Sequence, residues 1–307
     1  MSILEVNDLS IAFKQYAGGL RQRTHQVISR LNLSMNEGEI VAVVGASGSG
    51  KSLLAHAVLG ILPDHATVSG TIRFAGEELT PKRQAALRGK ELALVPQSIN
   101  FLDPLMRVGT QVRTSVRTGD PVAAQRNVFE RYRLKPETEK LFPFQLSGGM
   151  ARRALVSMAV VSGARVIIAD EPTPGLDPAA LTQALGYFRE LADQGAAVML
   201  ITHDIEAALA IADKIAVFYA GTTVEIAPAA DFSGNGERLR HPYTEALWRA
   251  LPQNEFLPLP GDQPSSENLP PGCPFEPRCD KATSECAWKP PLMRQVRNGS
   301  VWCDHVS

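Results

Sequence analysis

The residues with the clearest chemical potential form one glycine-rich stretch that ends in a lysine and a serine. They fit the pattern G-x-x-x-x-G-K-[ST] at every fixed position: Gly45, Ala46, Ser47, Gly48, Ser49, Gly50, Lys51 and Ser52. Glycines let the backbone wrap its N–H groups around a phosphate, and a following helix adds partial positive charge at its N-terminus. Lys51 is then placed to bridge the β- and γ-phosphates of a nucleotide, and the Ser52 hydroxyl to ligate Mg²⁺.

Two adjacent carboxylates supply the second half of this nucleotide site. Asp170 and Glu171 follow directly after the apolar run Val166–Ala169. We expect Asp170, at the end of a buried strand, to lie beside the phosphate loop and to hold Mg²⁺, commonly through water. Glu171 is then placed to polarise the attacking water. Such a pair could also cap the turn at Pro172, but the phosphate loop favours the catalytic interpretation.

A second helix start of the anion-binding type lies between these two motifs. Ser147, Gly148 and Gly149 open the helical stretch Met150–Val161. A helix N-terminus with exposed N–H groups attracts anions. One phosphate group cannot easily sit on two such helix ends within one compact domain, so we infer that this end serves a nucleotide bound to another subunit.

The elements that must position these residues alternate between strands and helices. Short apolar runs rich in β-branched residues predict strands over 3–9, 39–44, 71–75, 91–95, 165–169, 196–201 and 214–219. Helices are predicted over 52–62, 179–193 and 204–212. This alternation indicates an α/β fold with a mostly parallel sheet covered on both faces. Residues 252–277 are rich in proline and predict an irregular segment.

Together these motifs resemble those of the ATP-binding-cassette (ABC) ATPases over roughly residues 3–228. Gln97 resembles the Q-loop glutamine, His203 the switch histidine, and Leu176-Asp177 the end of the D-loop. The family's signature motif is matched by Leu146, Ser147, Gly148, Gly149 and Met150. The resemblance implies a P-loop NTPase (RecA-like) core, an antiparallel β subdomain and a helical signature subdomain. It also implies that two cassettes pair head to tail and sandwich two ATP molecules.

The resemblance assigns roles to further residues. Gln97 would sense the γ-phosphate and Mg²⁺ and link the site to membrane subunits, so that the metal is held by Ser52, Gln97 and Asp170. His203 would stabilise the transition state, which completes a catalytic set of Lys51, Glu171 and His203. An aromatic residue near the N-terminus should stack on adenine; Phe13 is the first choice and Tyr16 the second, and the alternative is that Phe13 is simply part of the core.

Two positions depart from the family pattern. Pro174-Gly175 stands where a Ser-Ala pair is usual before the D-loop Leu-Asp, and the signature is followed by Ala151-Arg152-Arg153, where a glutamine is more usual. The Pro174-Gly175 departure lies in the segment through which the D-loop is expected to contact the nucleotide site of the partner cassette.

Other segments resemble the peptide and nickel importer subfamily of bacterial permeases. They are Val108–Gln111 and His241–Thr244, whereas Phe101–Pro104 replaces the usual Ser-Leu-Asn-Pro. The resemblance implies the ATP-hydrolysing motor of an importer for di- or oligopeptides, nickel or a metal chelate. Its partners would be two membrane-spanning permease subunits, a second, related ABC ATPase or a copy of this chain, and, indirectly, an extracytoplasmic substrate-binding protein.

Four cysteines, all in the last 35 residues, form a candidate metal site: Cys273, Cys279, Cys286 and Cys303. In a reducing compartment such a cluster favours a metal site over disulfides. Four thiolates suit either a tetrahedral zinc ion or a [4Fe-4S] cluster, and the spacing does not decide between them. The resemblance to peptide-permease ATPases implies the iron–sulfur cluster; zinc and free structural thiols are the alternatives.

Length and charge narrow the remaining possibilities. The chain has 307 residues and a net charge of −1, which disfavours nucleic acid as a partner. It has neither an apolar run of membrane-spanning length nor a secretory signal, so we expect it at the cytoplasmic face of the inner membrane, bound peripherally. We expect a cassette over residues 1–230, with its helical subdomain near 98–160, and a C-terminal extension over 231–307. The alternative, a soluble ABC ATPase of DNA repair or translation, is disfavoured because there is no long coiled coil and only one cassette.

Overall fold

The computed structural model describes residues 2–16, 22–265 and 268–306. Within these ranges the strands are β1 (Ser2–Tyr16), β2 (Gln22–Asn36), β3 (Ile40–Gly45), β4 (Ala66–Phe74), β5 (Glu77–Glu78), β6 (Leu92–Val95), β7 (Val166–Asp170), β8 (Ala197–Thr202), β9 (Lys214–Tyr219), β10 (Thr222–Pro228), β11 (Met293–Val296) and β12 (Gly299–Trp302). The helices are α1 (Lys51–Leu59), α2 (Pro81–Leu87), α3 (Val108–Ser115), α4 (Pro121–Arg131), α5 (Gly148–Val161), α6 (Pro178–Asp193), α7 (Ile205–Leu209) and α8 (Pro242–Arg249). None of these helices has the length and apolar character that crossing a bilayer requires.

The larger of two sheets carries the site. Its strand order is β11-β12-β10-β9-β3-β8-β7-β6, and the five strands from β9 to β6 run parallel. The central strand β3 is buried on both faces: Ile40, Ala42 and Val44 belong to one core, and Val41 and Val43 to the other. The predicted parallel sheet with two covered faces is therefore confirmed. Because β3, β7 and β8 are parallel neighbours, the residues that follow their carboxyl ends meet at one edge.

The smaller sheet is antiparallel, with the order β2-β1-β4-β5. It shares a core with α1 and with one face of the larger sheet. The antiparallel subdomain expected from the ABC resemblance is thus present. The strand predictions omit β2, although Leu31, Leu33 and Met35 alternate in the manner of a half-buried strand, and all three are buried.

Helices α3, α4 and α5 pack on one another and form the helical part of the cassette. The first residues of α5 are the signature residues, and its body packs against β6 and α6. This helix therefore connects the signature residues to the sheet in which β7 ends at Asp170.

The C-terminal region is joined to the main sheet. Strand β12 pairs with β10, so that Val301 lies opposite Glu225 and Ser300 opposite Ile226. Residues 252–265 and 268–277 are mostly irregular, as the prolines predict, but α8 and the hairpin β11–β12 are absent from the sequence-based prediction. The β12 strand shows that the sheet continues beyond residue 230; the division into two units at that residue stays a prediction.

A buried ion-pair network links β10 to the residues that follow it. Arg240 donates to Glu225 at 3.1 Å and to Asp231 at 2.8 Å. The Arg240 and Glu225 side chains are 1% and 0% exposed. Glu225 also accepts hydrogen bonds from the backbone N–H groups of Arg240 and His241, so its charge is well compensated despite its burial.

Candidate functional site

The phosphate loop joins the end of β3 to the start of α1, the strand–loop–helix context that the motif requires. Gly45 closes β3, and a Cβ atom at this position would lie 2.4 Å from the carbonyl oxygen of Phe218. Gly50 has a φ of 94° and caps α1. Residues that carry a Cβ atom rarely adopt this backbone conformation. Both glycines are therefore demanded by the path of the backbone.

The Lys51 ammonium lies inside the loop. Its Nζ donates to the carbonyl oxygens of Gly45 at 2.8 Å and Ala46 at 3.0 Å. Burial lowers the Lys51 pKa, and the carboxylates of Glu171 and Asp170 oppose that shift. The Lys51 ammonium is thus bound to two backbone carbonyl oxygens, and an incoming phosphate can take their place as its hydrogen-bond acceptor.

Ser52 and Asp170 form a pair of neighbouring oxygens. The Ser52 hydroxyl donates to Asp170 Oδ1 at 3.1 Å. Adjacent ligands of an octahedral Mg²⁺ at 2.0–2.1 Å lie about 3.0 Å apart, so this spacing fits two positions of a magnesium shell. Burial raises the Asp170 pKa because it disfavours the charged carboxylate. A cation beside Asp170 would offset this effect and stabilise the ionised form.

Glu171 and His203 are in direct contact. His203 Nδ1 lies 3.0 Å from each carboxylate oxygen of Glu171. An ionised carboxylate only accepts hydrogen bonds, so Nδ1 carries the proton and Nε2 is left for another partner. Glu171 is buried, whereas His203 is exposed. The predicted carboxylate and the predicted switch histidine are therefore brought together.

Arg152 links α5 to the segment that follows Glu171. Its guanidinium donates to the carbonyl oxygen of Pro172, and burial lowers the Arg152 pKa. Sequence reasoning noted Arg152 only as a departure from the family pattern. Its partner is distant in the chain, so no local pattern could have revealed the contact.

The signature forms an open helix N-terminus. Ser147 caps α5 by accepting a hydrogen bond from the Met150 N–H at 3.3 Å. Cβ atoms built on Gly148 or Gly149 would have no neighbour within 4 Å. Side-chain atoms at these two positions would thus meet no neighbour, and the anion-binding role of this helix end stays a prediction.

The D-loop departure has a backbone explanation. Gly175 has a φ of 74°, a value that the usual alanine would adopt only with strain. Asp177 then caps α6 by accepting hydrogen bonds from the N–H groups of Ala179 and Ala180, each at 3.0 Å.

Three further residues are predicted to contact the nucleotide: Gln97, Phe13 and Tyr16. Gln97 follows β6 and is exposed. Phe13 is half-buried on β1, and its ring centroid lies 5.5 Å from that of His65. The side chain of Tyr16 is outside the described residues. Roles for Gln97, Phe13 and Tyr16 stay predictions.

All four cysteines are free thiols that line one cavity, together with His241 and His305. Burial raises the pKa of Cys273 to about 12 and raises those of Cys279 and Cys303. In the part of the chain that the structure describes, no three His, Cys, Asp or Glu side chains converge tightly enough for one metal ion. A tetrahedral zinc ion needs sulfurs about 3.8 Å apart, whereas a four-iron cluster gives each thiolate its own iron and accepts a wider spacing.

Comparison with known proteins decides the family. Residues 28–174 match the family described as ABC transporter, and residues 224–286 match the oligopeptide/dipeptide transporter C-terminal region. The chain is 34% identical to the oligopeptide transport ATP-binding protein OppD of Salmonella typhimurium, over 94% of this chain and 90% of that protein. The chain belongs to the ABC transporter ATPases. As a member of this family it is an ATPase coupled to transport.

Further relatives agree with this placement of the ABC ATPase. The dipeptide transport ATP-binding protein DppD of Escherichia coli is 33% identical, over 97% of this chain and 95% of that protein. A dimeric ATP-binding cassette in a post-hydrolysis state, bound to ADP and Pi, has a TM-score of 0.64 at 22% identity and covers 74% of this chain and 98% of that one. This likeness confirms the cassette fold. None of these relatives supports the alternative of DNA repair or translation.

Proposed function

We propose that this ABC ATPase is the motor subunit of a bacterial importer for dipeptides or oligopeptides. The observation that carries the proposal is the match of residues 224–286 to the C-terminal region of oligopeptide/dipeptide transporters. The curated relatives are described as oligopeptide and dipeptide transport ATP-binding proteins. Nickel and metal chelates, the other cargoes expected from the sequence, are named by none of these relatives.

In the proposed hydrolytic step, Lys51 binds the β- and γ-phosphates, and Glu171 accepts a proton from the attacking water. Ser52 and Asp170, with Gln97, would hold Mg²⁺, whose charge helps to neutralise the phosphates when it is bound. His203 would donate from Nδ1 to Glu171 and so orient its carboxylate; a second hydrogen bond, from Nε2 to the γ-phosphate, would require the doubly protonated ring, in which both nitrogens donate. The short Glu171–His203 distance supports this division of roles.

The proposed assembly contains two cassettes. The open helix end at Ser147, Gly148 and Gly149, flanked by Leu146 and Met150, would contact the ATP of a partner cassette, either a related ATPase or a second copy. Two permease subunits would anchor the pair at the cytoplasmic face of the inner membrane, with the segment after Gln97 facing them. An extracytoplasmic binding protein would deliver the cargo and contact this chain only indirectly.

We further propose that Cys273, Cys279, Cys286 and Cys303 hold a [4Fe-4S] cluster. Their shared cavity supports a common ligand for the four thiols, and the choice of the cluster over zinc follows the resemblance to peptide-permease ATPases. Such a cluster would tie the proline-rich region into one unit. Anaerobically purified protein should contain about four iron and four sulfide per chain. Zinc without iron would contradict the assignment.

Transport by the reconstituted complex tests the cargo. The chain would be assembled with its permease subunits and binding protein in liposomes, and peptide uptake and nickel uptake measured in parallel. We expect ATP-dependent peptide uptake that is lost in the Glu171→Gln variant. ATP-dependent uptake of nickel alone would overturn the peptide proposal while leaving the ATPase assignment intact.

A further inference from the structure

A cavity lined mainly by α5 and α6, here called the α5–α6 cavity, lies apart from the phosphate loop. Its volume is about 140 Å³; an apolar cavity of about 150 Å³ in another protein binds one benzene molecule. Its apolar walls include Leu155, Val156 and Phe188. Gln183 and Ala184 also line it and are partly exposed, so solutes can reach it from solvent. Its size and walls suit one ring or a branched aliphatic group.

An arginine without an acidic partner lines the same cavity. Arg152 is half-buried. Within the described ranges its guanidinium donates to the carbonyl oxygen of Pro172 and forms no ion pair with a carboxylate. Arg153, which also lines the cavity, likewise donates to backbone carbonyl oxygens. Charges that are withdrawn from water are usually paired, so the unpaired Arg152 favours an anionic group on the ligand.

A buried hydroxyl offers a further polar contact on the α6 side. Tyr187 is 9% exposed and lines the cavity, and its hydroxyl has no hydrogen-bond partner in the part of the chain that the structure describes. Edge-on packing against Tyr132, with the ring centroids 4.2 Å apart, holds the Tyr187 ring in place. Buried tyrosine hydroxyls usually have a partner, so this hydroxyl is available to an oxygen atom of a ligand.

We propose that the α5–α6 cavity binds a small carboxylate that carries one ring or a branched aliphatic group. Arg152 binds the carboxylate, Tyr187 donates a hydrogen bond to it, and the apolar group packs among the apolar walls. One unpaired guanidinium and one hydroxyl match a singly charged, planar carboxylate better than a phosphate dianion, which needs more donors.

The position of the cavity gives its ligand contact with two elements of the ATPase. Pro172, the residue after Glu171, lines it, and so does Gly149 in the first turn of α5. None of the phosphate-loop residues does. The ligand would therefore bind beside the nucleotide site without competing for it, whatever cargo the transporter carries.

Fluorine NMR of 4-fluorophenylacetate with the full chain tests the site. Spectra are recorded with and without saturating ADP, which occupies the phosphate loop and so excludes the carboxylate from it. We expect saturable broadening of the fluorine signal under both conditions, and none with the neutral amide 4-fluorophenylacetamide, which has nearly the same shape. No saturable binding up to about 10 mM, or equal binding of acid and amide, would overturn the proposal. So would binding that ADP abolishes, because the carboxylate would then lie in the phosphate loop.

A matched pair of variants locates the binding. Tyr187→Phe and Tyr132→Phe each remove a buried hydroxyl that has no partner among the described residues, but of the two only Tyr187 lines the cavity. Tyr187→Phe should bind 4-fluorophenylacetate about 3- to 10-fold more weakly, and Tyr132→Phe should bind it as the unchanged protein does. Arg152→Gln should weaken binding about 10- to 100-fold, the range for a hydrogen bond to a charged group.

The ADP affinity of each variant, measured by titration calorimetry, shows that it is folded. Equal affinity of Tyr187→Phe and Tyr132→Phe for the probe would overturn the proposal, because the hydroxyl that lines the cavity would then make no contact of its own. Unchanged affinity in Arg152→Gln would overturn it as well.

Discussion

Glu171 has a backbone conformation that glutamate rarely adopts. Its φ is 46°, and such left-handed residues cost about 1–3 kcal/mol unless their surroundings hold them. Here its N–H donates to the carbonyl of Ile201 at 2.9 Å, Arg152 holds the next carbonyl, and His203 contacts the carboxylate. The constrained backbone fixes the direction of the carboxylate toward the edge where the phosphate loop lies.

Replacement of Glu171 by glutamine should separate binding from chemistry. The amide has the same shape but cannot accept a proton from water, so we expect ATP affinity to be retained and turnover to fall about 10²- to 10⁴-fold. Steady-state ATPase assays and nucleotide titration measure the two effects. Glu130→Gln, at an exposed position on α4, is the control and should change neither. Undiminished hydrolysis in Glu171→Gln would remove this residue from its proposed role.

The residues whose roles could be predicted are those that lie in contiguous sequence motifs. The phosphate loop and the pair Asp170-Glu171 are each contiguous in the chain, and an apolar strand before them fixes their location. The contacts of Arg152 with Pro172, and of Arg240 with Glu225, depend on how separate elements pack. No periodicity or spacing encodes them, so they emerge only from the folded structure.

At the scale of elements, α5 connects the signature residues to the segment that follows Glu171. It begins at the signature residues, packs against β6 and α6, and holds the Pro172 carbonyl through Arg152. A tilt of this helix would therefore move the segment that follows Glu171. In the proposed assembly, this helix would connect the binding of the partner's nucleotide to Glu171.

Arg152→Gln tests this coupling by installing the residue that the family more often carries. We expect turnover to fall about 3- to 10-fold, which corresponds to the net free energy of one hydrogen bond. ATP affinity should be unchanged, because Arg152 touches no part of the phosphate loop motif. Arg153→Gln is the control: its guanidinium donates to the carbonyls of Gly149, Tyr132 and Arg133 within the helical part. Equal turnover in Arg152→Gln and the unchanged protein would contradict the coupling.

The start of α8 makes stability depend on pH. His241 caps this helix by accepting the Tyr243 N–H at 3.1 Å, and burial lowers the His241 pKa to about 3. The folded protein therefore keeps the ring neutral, while the unfolded chain binds a proton below about pH 6.5. The resulting stability is complete above that value and is lost as the pH falls.

Urea denaturation at pH 7 and pH 5 measures this effect. One such histidine should cost about 2 kcal/mol of unfolding free energy at pH 5. His241→Asn keeps a side chain suited to helix capping but does not titrate, so its stability should fall by about that much less over the same interval. Taking the difference between the two proteins cancels contributions from other groups such as Glu225. Parallel pH curves would show that His241 is not the source.

At the scale of the whole molecule, the cassette and the C-terminal region share one sheet and one core. Phe275 and Trp302 are buried in the same core cluster as Val44 and Ala169. Sequence reasoning found the proline-rich segment but not this union, because pairing between β10 and β12 joins residues far apart in the chain. The Arg240–Glu225 pair lies at the centre of the junction.

Arg240→Met should weaken this junction strongly. Loss of the guanidinium leaves Glu225 buried without its cation, and such changes typically cost 3–5 kcal/mol. Arg249→Met, which breaks an exposed ion pair with Glu255, is the control and should change stability little. Thermal and urea unfolding of the full chain measure both. Equal stability of the two variants would mean that the buried pair does not hold the junction.

The pairing of β12 with β10 also bears on how the protein can be shortened. A chain cut at residue 230 would retain β10 but lose the strand that satisfies its outer N–H and C=O groups. That uncovered β10 edge, with the Glu225 carboxylate deprived of Arg240, is a template for pairing with other chains. A cassette trimmed in this way should form insoluble aggregates rather than a smaller working ATPase.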